Sequence, residues 1–134
     1  VGNDTILVNN TALAGHVEVG DWAILSGYTL VHQFCKIGAH SFSGMGTSIG
    51  KDVPAYITVA GSPAEAKTIN VEGLRRRGFD SAEIAALRRA FKILYRQSLT
   101  LDAAVERLQA MAAETPSLQP LIDSLMQSQR GIVR

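Results

Sequence analysis

A repeat of six residues runs through the first part of the chain and limits what this part can fold into. Aliphatic residues recur at every sixth position from Val1 to Ile49, and only Ser43 breaks the series. A small or compact residue follows four positions after each of them, from Thr5 to Val53. Strands of an ordinary β-sandwich alternate with period two. The series therefore disfavours a sandwich.

Three successive hexads make a longer repeat. The segments Val1–Asp4, Val19–Trp22 and Ile37–His40 lie three hexads apart, and glycine is the second residue of each. Three flat segments can close into a triangular coil with the aliphatic residue inside, and coils then stack at about 4.8 Å, the spacing of hydrogen-bonded strands. The repeat predicts a parallel β-helix of about three coils over residues 1–66, less regular as it approaches Val59.

After Gly61-Ser62-Pro63 the period changes, and residues 67–134 predict a small α-helical domain. Asp80 and Glu83 have the spacing of a capping box at a helix start, Thr100 can cap a second helix, and Thr115-Pro116 opens a third that ends near Gly131. Apolar residues spaced for one face of each helix are Ile84, Leu87, Phe91, Leu94, Leu101, Val105, Leu108, Leu118, Ile122 and Leu125.

The charge of the chain is small overall and unevenly distributed. Residues 1–66 carry 2 basic and 5 acidic side chains and residues 67–134 carry 11 and 7, so their net charges are −3 and +4. The total of +1 argues against a general nucleic-acid binder, which needs a large cationic excess.

The single cysteine, Cys35, excludes an internal disulfide and a multi-cysteine zinc site, and it fits a reducing compartment such as the cytoplasm.

The cationic residues of the second part form a strip on and before the first long helix. Its members are Arg75, Arg76, Arg88, Arg89, Lys92 and Arg96. A solvated helix face is one interpretation, since most charge runs are solvated. A docking surface for an anionic partner is the other.

Several segments indicate a particular protein family more specifically than the repeat does. They are Leu13–Val17, Val31–Phe34, Lys51–Pro54, Asn70–Phe79 and Arg130–Arg134. These segments are the basis on which the whole chain resembles the UDP-N-acetylglucosamine O-acyltransferase family. The resemblance implies a left-handed parallel β-helix (hexapeptide repeat) followed by a small α-helical C-terminal domain, in a cytoplasmic homotrimer without a cofactor.

The activity that the resemblance implies is the first step of lipid A biosynthesis. An (R)-3-hydroxyacyl chain passes from acyl carrier protein to the 3-hydroxyl of UDP-N-acetylglucosamine, and a histidine acts as general base. In the family this base lies in a His-x-x-His-Asp segment, which is absent from residues 1–134. We expect the N-terminal coils and the base to lie before Val1, and the chain alone to be inactive.

The resemblance also implies a set of substrate-binding residues. They are Asn10, His16, His32, Gln33, Asn70, Glu72 and Arg77. The repeat places Phe34 one coil above His16, and His32 lies two residues from Phe34, so the two histidines are expected to line one groove. Arg77 suits a diphosphate, since a guanidinium donates two parallel hydrogen bonds.

The resemblance further implies that one column, a set of residues stacked three hexads apart, limits the length of the acyl chain. Asn9, Gly27 and Met45 lie three hexads apart, and in the family a glycine at the position of Met45 leaves a long acyl channel, whereas a larger side chain shortens it. Methionine therefore predicts a shorter donor such as a 3-hydroxydecanoyl chain. The alternative is that Met45 only packs at a subunit contact.

Three other functions compete with O-acyl transfer. The UDP-3-O-acylglucosamine N-acyltransferase shares the β-helix and the donor, but the run from Asn70 to Gly78 favours the O-acyltransferase. A zinc-dependent β-helix carbonic anhydrase would need its three histidines, and His16, His32 and His40 lack the close pair of that family. A non-catalytic trimeric scaffold is a third possible function for this chain.

The resemblance also gives the cationic strip a partner. For acyl carrier protein, which is acidic, the cationic strip is the expected docking surface.

Overall fold

Short strands at regular intervals of six residues make up the first part of the chain. The computed structural model describes all 134 residues. Strands β1 to β8 are Ile6–Leu7, Ala12–Leu13, Glu18–Val19, Ile24–Leu25, Leu30–Val31, Lys36–Ile37, Phe42–Ser43 and Ser48–Ile49. Parallel pairs join strands three apart, so that Ile6 lies opposite Ile24 and Ala12 opposite Leu30. One coil therefore takes three hexads and has three faces, and the predicted left-handed parallel β-helix with helices after it is confirmed.

The interior of the β-helix is filled as the repeat requires. The aliphatic positions from Val19 to Ile49 are buried, and so are the compact ones from Ala23 to Thr47. Ser43, which breaks the series, is buried as well, and its Oγ lies 2.8 Å from Oγ1 of Thr29 one coil before. Two hydroxyls that bond each other can replace apolar atoms inside, because neither is left unpaired.

The corners between faces use left-handed backbone conformation. The non-glycine corner residues with positive φ are Asp4, Asn10, His16, Trp22, Tyr28, Phe34 and His40 at intervals of six, and then Tyr56. Asn and Asp tolerate this conformation, but in other residues it costs about 1 kcal/mol or more each. Aromatic side chains at such positions indicate that something other than backbone stability selects them.

Glycine at the second position of the three-hexad repeat permits close approach of the coils. A Cβ atom built on Gly20 would lie 2.6 Å from Ala39 N, and one on Gly38 would lie 2.6 Å from Ala55 Cα. Real carbon atoms do not approach backbone so closely. The recurring Val-Gly or Ile-Gly is thus a steric requirement of stacking.

A hairpin and a helical domain close the other end of the β-helix. Strand β9 (Ile57–Ala60) pairs with β7 and, antiparallel, with β10 (Glu65–Ile69), which crosses the boundary predicted at residue 66. The helices are α1 (Val71–Arg76), α2 (Ser81–Tyr95), α3 (Leu101–Ala112) and α4 (Gln119–Gln127), with a 3-10 turn at Pro116–Leu118. None of these helices combines the length and the apolar composition that a membrane-spanning helix needs.

Two of the three predicted helix starts are confirmed, whereas Thr115-Pro116 opens a 3-10 turn and α4 begins only at Gln119. Asp80 and Glu83 form a complete capping box before α2, and Thr100 Oγ1 accepts from Ala103 N at 3.2 Å before α3. The predicted end near Gly131 is wrong, since α4 ends at Gln127. The chain then becomes extended at Ser128, and Ile132 pairs with Asp52 beside the β-helix.

Replacing Gly38 with alanine tests the steric requirement. We expect Gly38→Ala to lower the free energy of unfolding by about 3 kcal/mol, because backbone atoms of Ala55 must move. Gly50→Ala is the matched control, since Gly50 has the same place in its hexad and nothing lies within 4 Å of its added Cβ. Urea unfolding of both variants measures the difference, and equal losses would contradict close coil stacking at Gly38.

Candidate functional site

The residues predicted to bind substrate lie at different corners of the triangular coil. Arg77 and Asn70 contact the corner column of Trp22, His40 and Tyr56. Asn10, Gly27 and Met45 belong to the next corner along the chain, and His16 and Gln33 to the third, with His32 just before it. A face of six residues spans roughly 15 to 20 Å at about 3.3 Å per residue. One chain therefore does not bring all of these residues into a single pocket.

An aromatic column with a guanidinium against it marks the first corner. The Trp22 and His40 rings lie 6.4 Å apart at an interplanar angle of 9°, and the His40 and Tyr56 rings lie 5.5 Å apart. Phe79 packs edge-on against His40. Arg77 Nη1 lies 3.0 Å from Nδ1 of His40, and the Arg77 guanidinium carbon lies 5.2 Å from the centre of the Trp22 ring. The column thus orients the Arg77 side chain.

The start of helix α1 completes this corner. Asn70 caps the helix by accepting from Gly73 N at 3.2 Å, and its Nδ2 donates to the carbonyl of His40 at 3.0 Å. Both ends of its amide are thus engaged within the protein. Glu72 is exposed and forms an ion pair with Arg76, whose Nε lies 3.3 Å from Oε1. No carboxylate lies within ion-pair distance of Arg77.

Burial sets the protonation state of this corner. The pKa of His40 is lowered from its ordinary value of 6.5 to about 4, chiefly by burial and also by the charge of Arg77, while Asp21 opposes the shift. His40 is therefore neutral near pH 7. Because arginine has no acceptor, His40 Nδ1 must accept from Arg77 and Nε2 must hold the ring proton. The Arg77 charge stays uncompensated and available to an anion.

The third corner carries the predicted stack of His16 and Phe34. Their rings lie 4.7 Å apart and are within 3° of parallel. They line a cleft that also contains Arg130, and an Arg130 Nη atom lies 3.4 Å from Nδ1 of His32. His32 lines a separate, more apolar groove with Leu30 and residues 48–50 and 62–63. The two histidines thus line separate depressions, and Arg130 lines that of His16 and contacts His32.

The column predicted to measure the acyl chain lies open on the second corner. Tyr28 N donates to Asn9 O at 3.0 Å and Gly46 N to Gly27 O at 2.9 Å, so these turns stack directly. The side chain of Met45 is 80% exposed. Met45 can bound a channel only if a second surface covers this corner.

The cationic strip is exposed along its whole length. Arg76 pairs with Glu72, and the Arg96 guanidinium lies over the Phe91 ring at 5.4 Å. Arg88, Arg89 and Lys92 have no carboxylate partner. The strip therefore presents uncompensated charge to solvent.

The three histidines, His16, His32 and His40, form no metal-binding group with one another or with other residues.

The sequence patterns assign no substrate-binding role to His40, Trp22, Tyr56 or Arg130. The spacing of three hexads from Trp22 to His40 already placed these two in one column. The contact of Arg77 with that column depends on how the hairpin and α1 fold back, and the contact of Arg130 depends on the path after α4. No local pattern encodes either.

Comparison with known proteins identifies the family. A family profile described as UDP N-acetylglucosamine O-acyltransferase, Domain 2, matches residues 52–133. The chain belongs to the UDP-N-acetylglucosamine O-acyltransferase family. The acyl-[acyl-carrier-protein]--UDP-N-acetylglucosamine O-acyltransferases of Ectopseudomonas mendocina and Pseudomonas putida are 66% and 63% identical over all 134 residues, which make up 52% of each relative.

Solved structures of this family share the fold. The UDP-N-acetylglucosamine O-acyltransferase of Moraxella catarrhalis matches the whole chain with a TM-score of 0.98 at 42% identity, and the protein from Acinetobacter baumannii with 0.98 at 45%. In both cases the chain covers 52% of the solved protein. The chain thus spans about half the length of the O-acyltransferases it matches.

Proposed function

We propose that residues 1–134 form the acceptor-binding and carrier-docking part of an O-acyltransferase. The complete enzyme transfers an (R)-3-hydroxyacyl chain from acyl carrier protein to the 3-hydroxyl of UDP-N-acetylglucosamine, the first step of lipid A biosynthesis, in the cytoplasm. The observation that carries this proposal is the oriented, unpaired Arg77 beside Asn70 and Glu72, in a chain of this family. A guanidinium held in this way matches the diphosphate of the acceptor.

The separation of the three corners supports a homotrimer. When three triangular prisms pack around a three-fold axis, a corner of one subunit faces a different corner of its neighbour. Residues that are far apart in one chain, such as Arg77 and His16, then contribute to the same cleft between subunits. Met45 likewise gains the second surface that it needs to bound an acyl channel.

The proposed chemistry requires a general base but no cofactor or covalent intermediate. The base removes the proton of the sugar 3-hydroxyl as its oxygen attacks the thioester carbonyl, and the carrier thiol leaves. We assign the base to the His-x-x-His-Asp segment of the family, which does not occur within residues 1–134. His40 is unsuited to the role, since its Nδ1 is occupied by Arg77 and its pKa is lowered to about 4.

A transfer assay tests the function and the location of the base. We expect no transfer to UDP-N-acetylglucosamine from the chain of 134 residues, and transfer when coils carrying the His-x-x-His-Asp segment precede it. Liquid chromatography of the acylated nucleotide measures the product. Transfer by the short chain would instead make one of its own histidines the base. If neither chain acylates UDP-N-acetylglucosamine but UDP-3-O-acylglucosamine is accepted, the result would favour the N-acyltransferase. If neither acceptor is acylated, the result would favour a non-catalytic scaffold.

Charge reversal at the cationic strip tests docking of the acidic carrier. In the extended enzyme, we expect Arg88→Glu with Arg89→Glu to raise the KM for acyl carrier protein about tenfold at low salt, since long-range attraction steers the carrier to this face. The KM for the nucleotide should stay unchanged. Arg107→Glu on α3 is the control for a charge reversal outside the strip, because Arg107 is exposed, and it is compared with Arg88→Glu alone so that both variants change the charge equally. Equal changes in both KM values would contradict docking.

Replacement of Met45 tests the control of chain length. We expect Met45→Gly in the extended enzyme to shift the preference from 3-hydroxydecanoyl toward longer donors, because removal of an unbranched side chain opens space for several methylenes. Competition between carrier-bound donors of different length measures the preference. Met126→Ala, at another exposed methionine, should leave it unchanged. An unchanged preference in Met45→Gly would assign Met45 to a subunit contact.

A further inference from the structure

We propose that His40 is a positioning residue that, together with Trp22, fixes the Arg77 guanidinium in the orientation that receives the diphosphate. This proposal rests on the acceptor-binding role given above and adds two residues to it. His40 does not itself touch the ligand in this proposal. It acts only through Arg77.

The contacts of Arg77 restrain a side chain that is otherwise very mobile. A free arginine samples many rotamers, and ordering it on binding costs about 2 kcal/mol. Here Nη1 lies 3.0 Å from His40 Nδ1, and the guanidinium lies over the Trp22 ring at 5.2 Å. One contact holds Nη1 and the other holds the guanidinium over the ring, so the two together restrain the position of the group. Part of the ordering cost is therefore met before the ligand arrives.

His40 is itself held firmly enough to serve as a reference point. Its ring lies between those of Trp22 and Tyr56 in the column, and Phe79 packs against it edge-on. Its backbone N donates to Asp21 O at 2.9 Å, and its carbonyl accepts from Asn70 Nδ2 at 3.0 Å. The ring cannot turn without breaking this column. Arg77 is thus attached to the β-helix itself.

The charges around Arg77 leave it free to bind an anion. The nearest acidic side chain on the same helix, Glu72, is engaged by Arg76. His40 accepts one N–H without adding negative charge, since burial and Arg77 lower its pKa and keep its ring neutral, with Asp21 the opposing influence. A carboxylate at this position would orient Arg77 equally well but would cancel its charge. A neutral imidazole orients the guanidinium and preserves the full charge for a phosphate.

The experiment separates positioning from general packing by a double-mutant cycle. His40→Phe keeps an aromatic ring in the column but removes the acceptor, and Phe34 shows that phenylalanine is accommodated at such a corner, with φ of 66° against 60° at His40. Arg77→Ala removes the guanidinium. UDP binding is measured for the wild type, both single variants and the double variant in the extended enzyme. Calorimetric titration of UDP into each protein measures the four dissociation constants.

Positioning predicts a specific pattern in these four proteins. His40→Phe should weaken UDP binding about fivefold, the size of one modest hydrogen bond, in the presence of Arg77 and have no effect in its absence. Binding of uridine, which has no phosphate, should be unchanged by His40→Phe. An equal loss in both backgrounds, or an equal loss for uridine, would overturn the proposal, because either would mean that His40 only packs.

The same data distinguish this failure from failure of the proposed function. If UDP does not bind the wild type, or binds Arg77→Ala as tightly as it binds the wild type, the proposed nucleotide site is wrong. The positioning role of His40 is then overturned as well. If Arg77→Ala weakens UDP binding but His40→Phe does not, the nucleotide site stands and only the positioning role is overturned.

Discussion

The backbone hydrogen bonds between successive coils are the constraint on which the rest of the structure depends. Each coil donates to the next at a register of three hexads, as in Gly2 N to Val19 O at 2.7 Å and Gly20 N to Ile37 O at 2.7 Å. This register fixes which side chains share a column inside, on a face or at a corner. It also forces the coils so close together that only glycine fits at the second position of the repeat.

The corners give this regular stack its ordered columns of exposed side chains. A corner side chain points outward and lies directly over the one three hexads earlier, so aromatic residues there form stacks without any dedicated loop. The left-handed backbone of these residues costs free energy, which the hydrogen-bonded coils on either side offset. A rigid, ordered row of rings results, and Arg77 uses one such row as its support.

The helical domain contributes in two ways that the β-helix cannot. Its hairpin and α1 bring Arg77 and Asn70 onto the first corner, and residues after α4 return to pair with Asp52 and bring Arg130 near His32. Helix α2 presents its apolar face to the common core and its cations to solvent. One small domain thus presents uncompensated cations at two separate places, Arg77 at the first corner and the cationic strip on α2.

Much of the fold follows from the sequence alone because its rules are local and repeated. The hexads determine the coil, its three faces and the inward residues, and the caps at Asp80 and Thr100 determine where α2 and α3 begin. The resemblance of the Asn70–Phe79 segment singled out Arg77. Such signals need only neighbouring residues or a fixed spacing.

Only the tertiary structure decided how separate columns are joined. The end of α4 at Gln127, the contact of Arg77 with His40 and the exposure of Met45 depend on where distant segments meet, and no short pattern carries that information. The neutral state of His40 is of the same kind, because it arises from burial beneath residues far away in the chain. The sequence by itself determined the periodic scaffold, and the packing of non-periodic segments on it decided the chemistry of each corner.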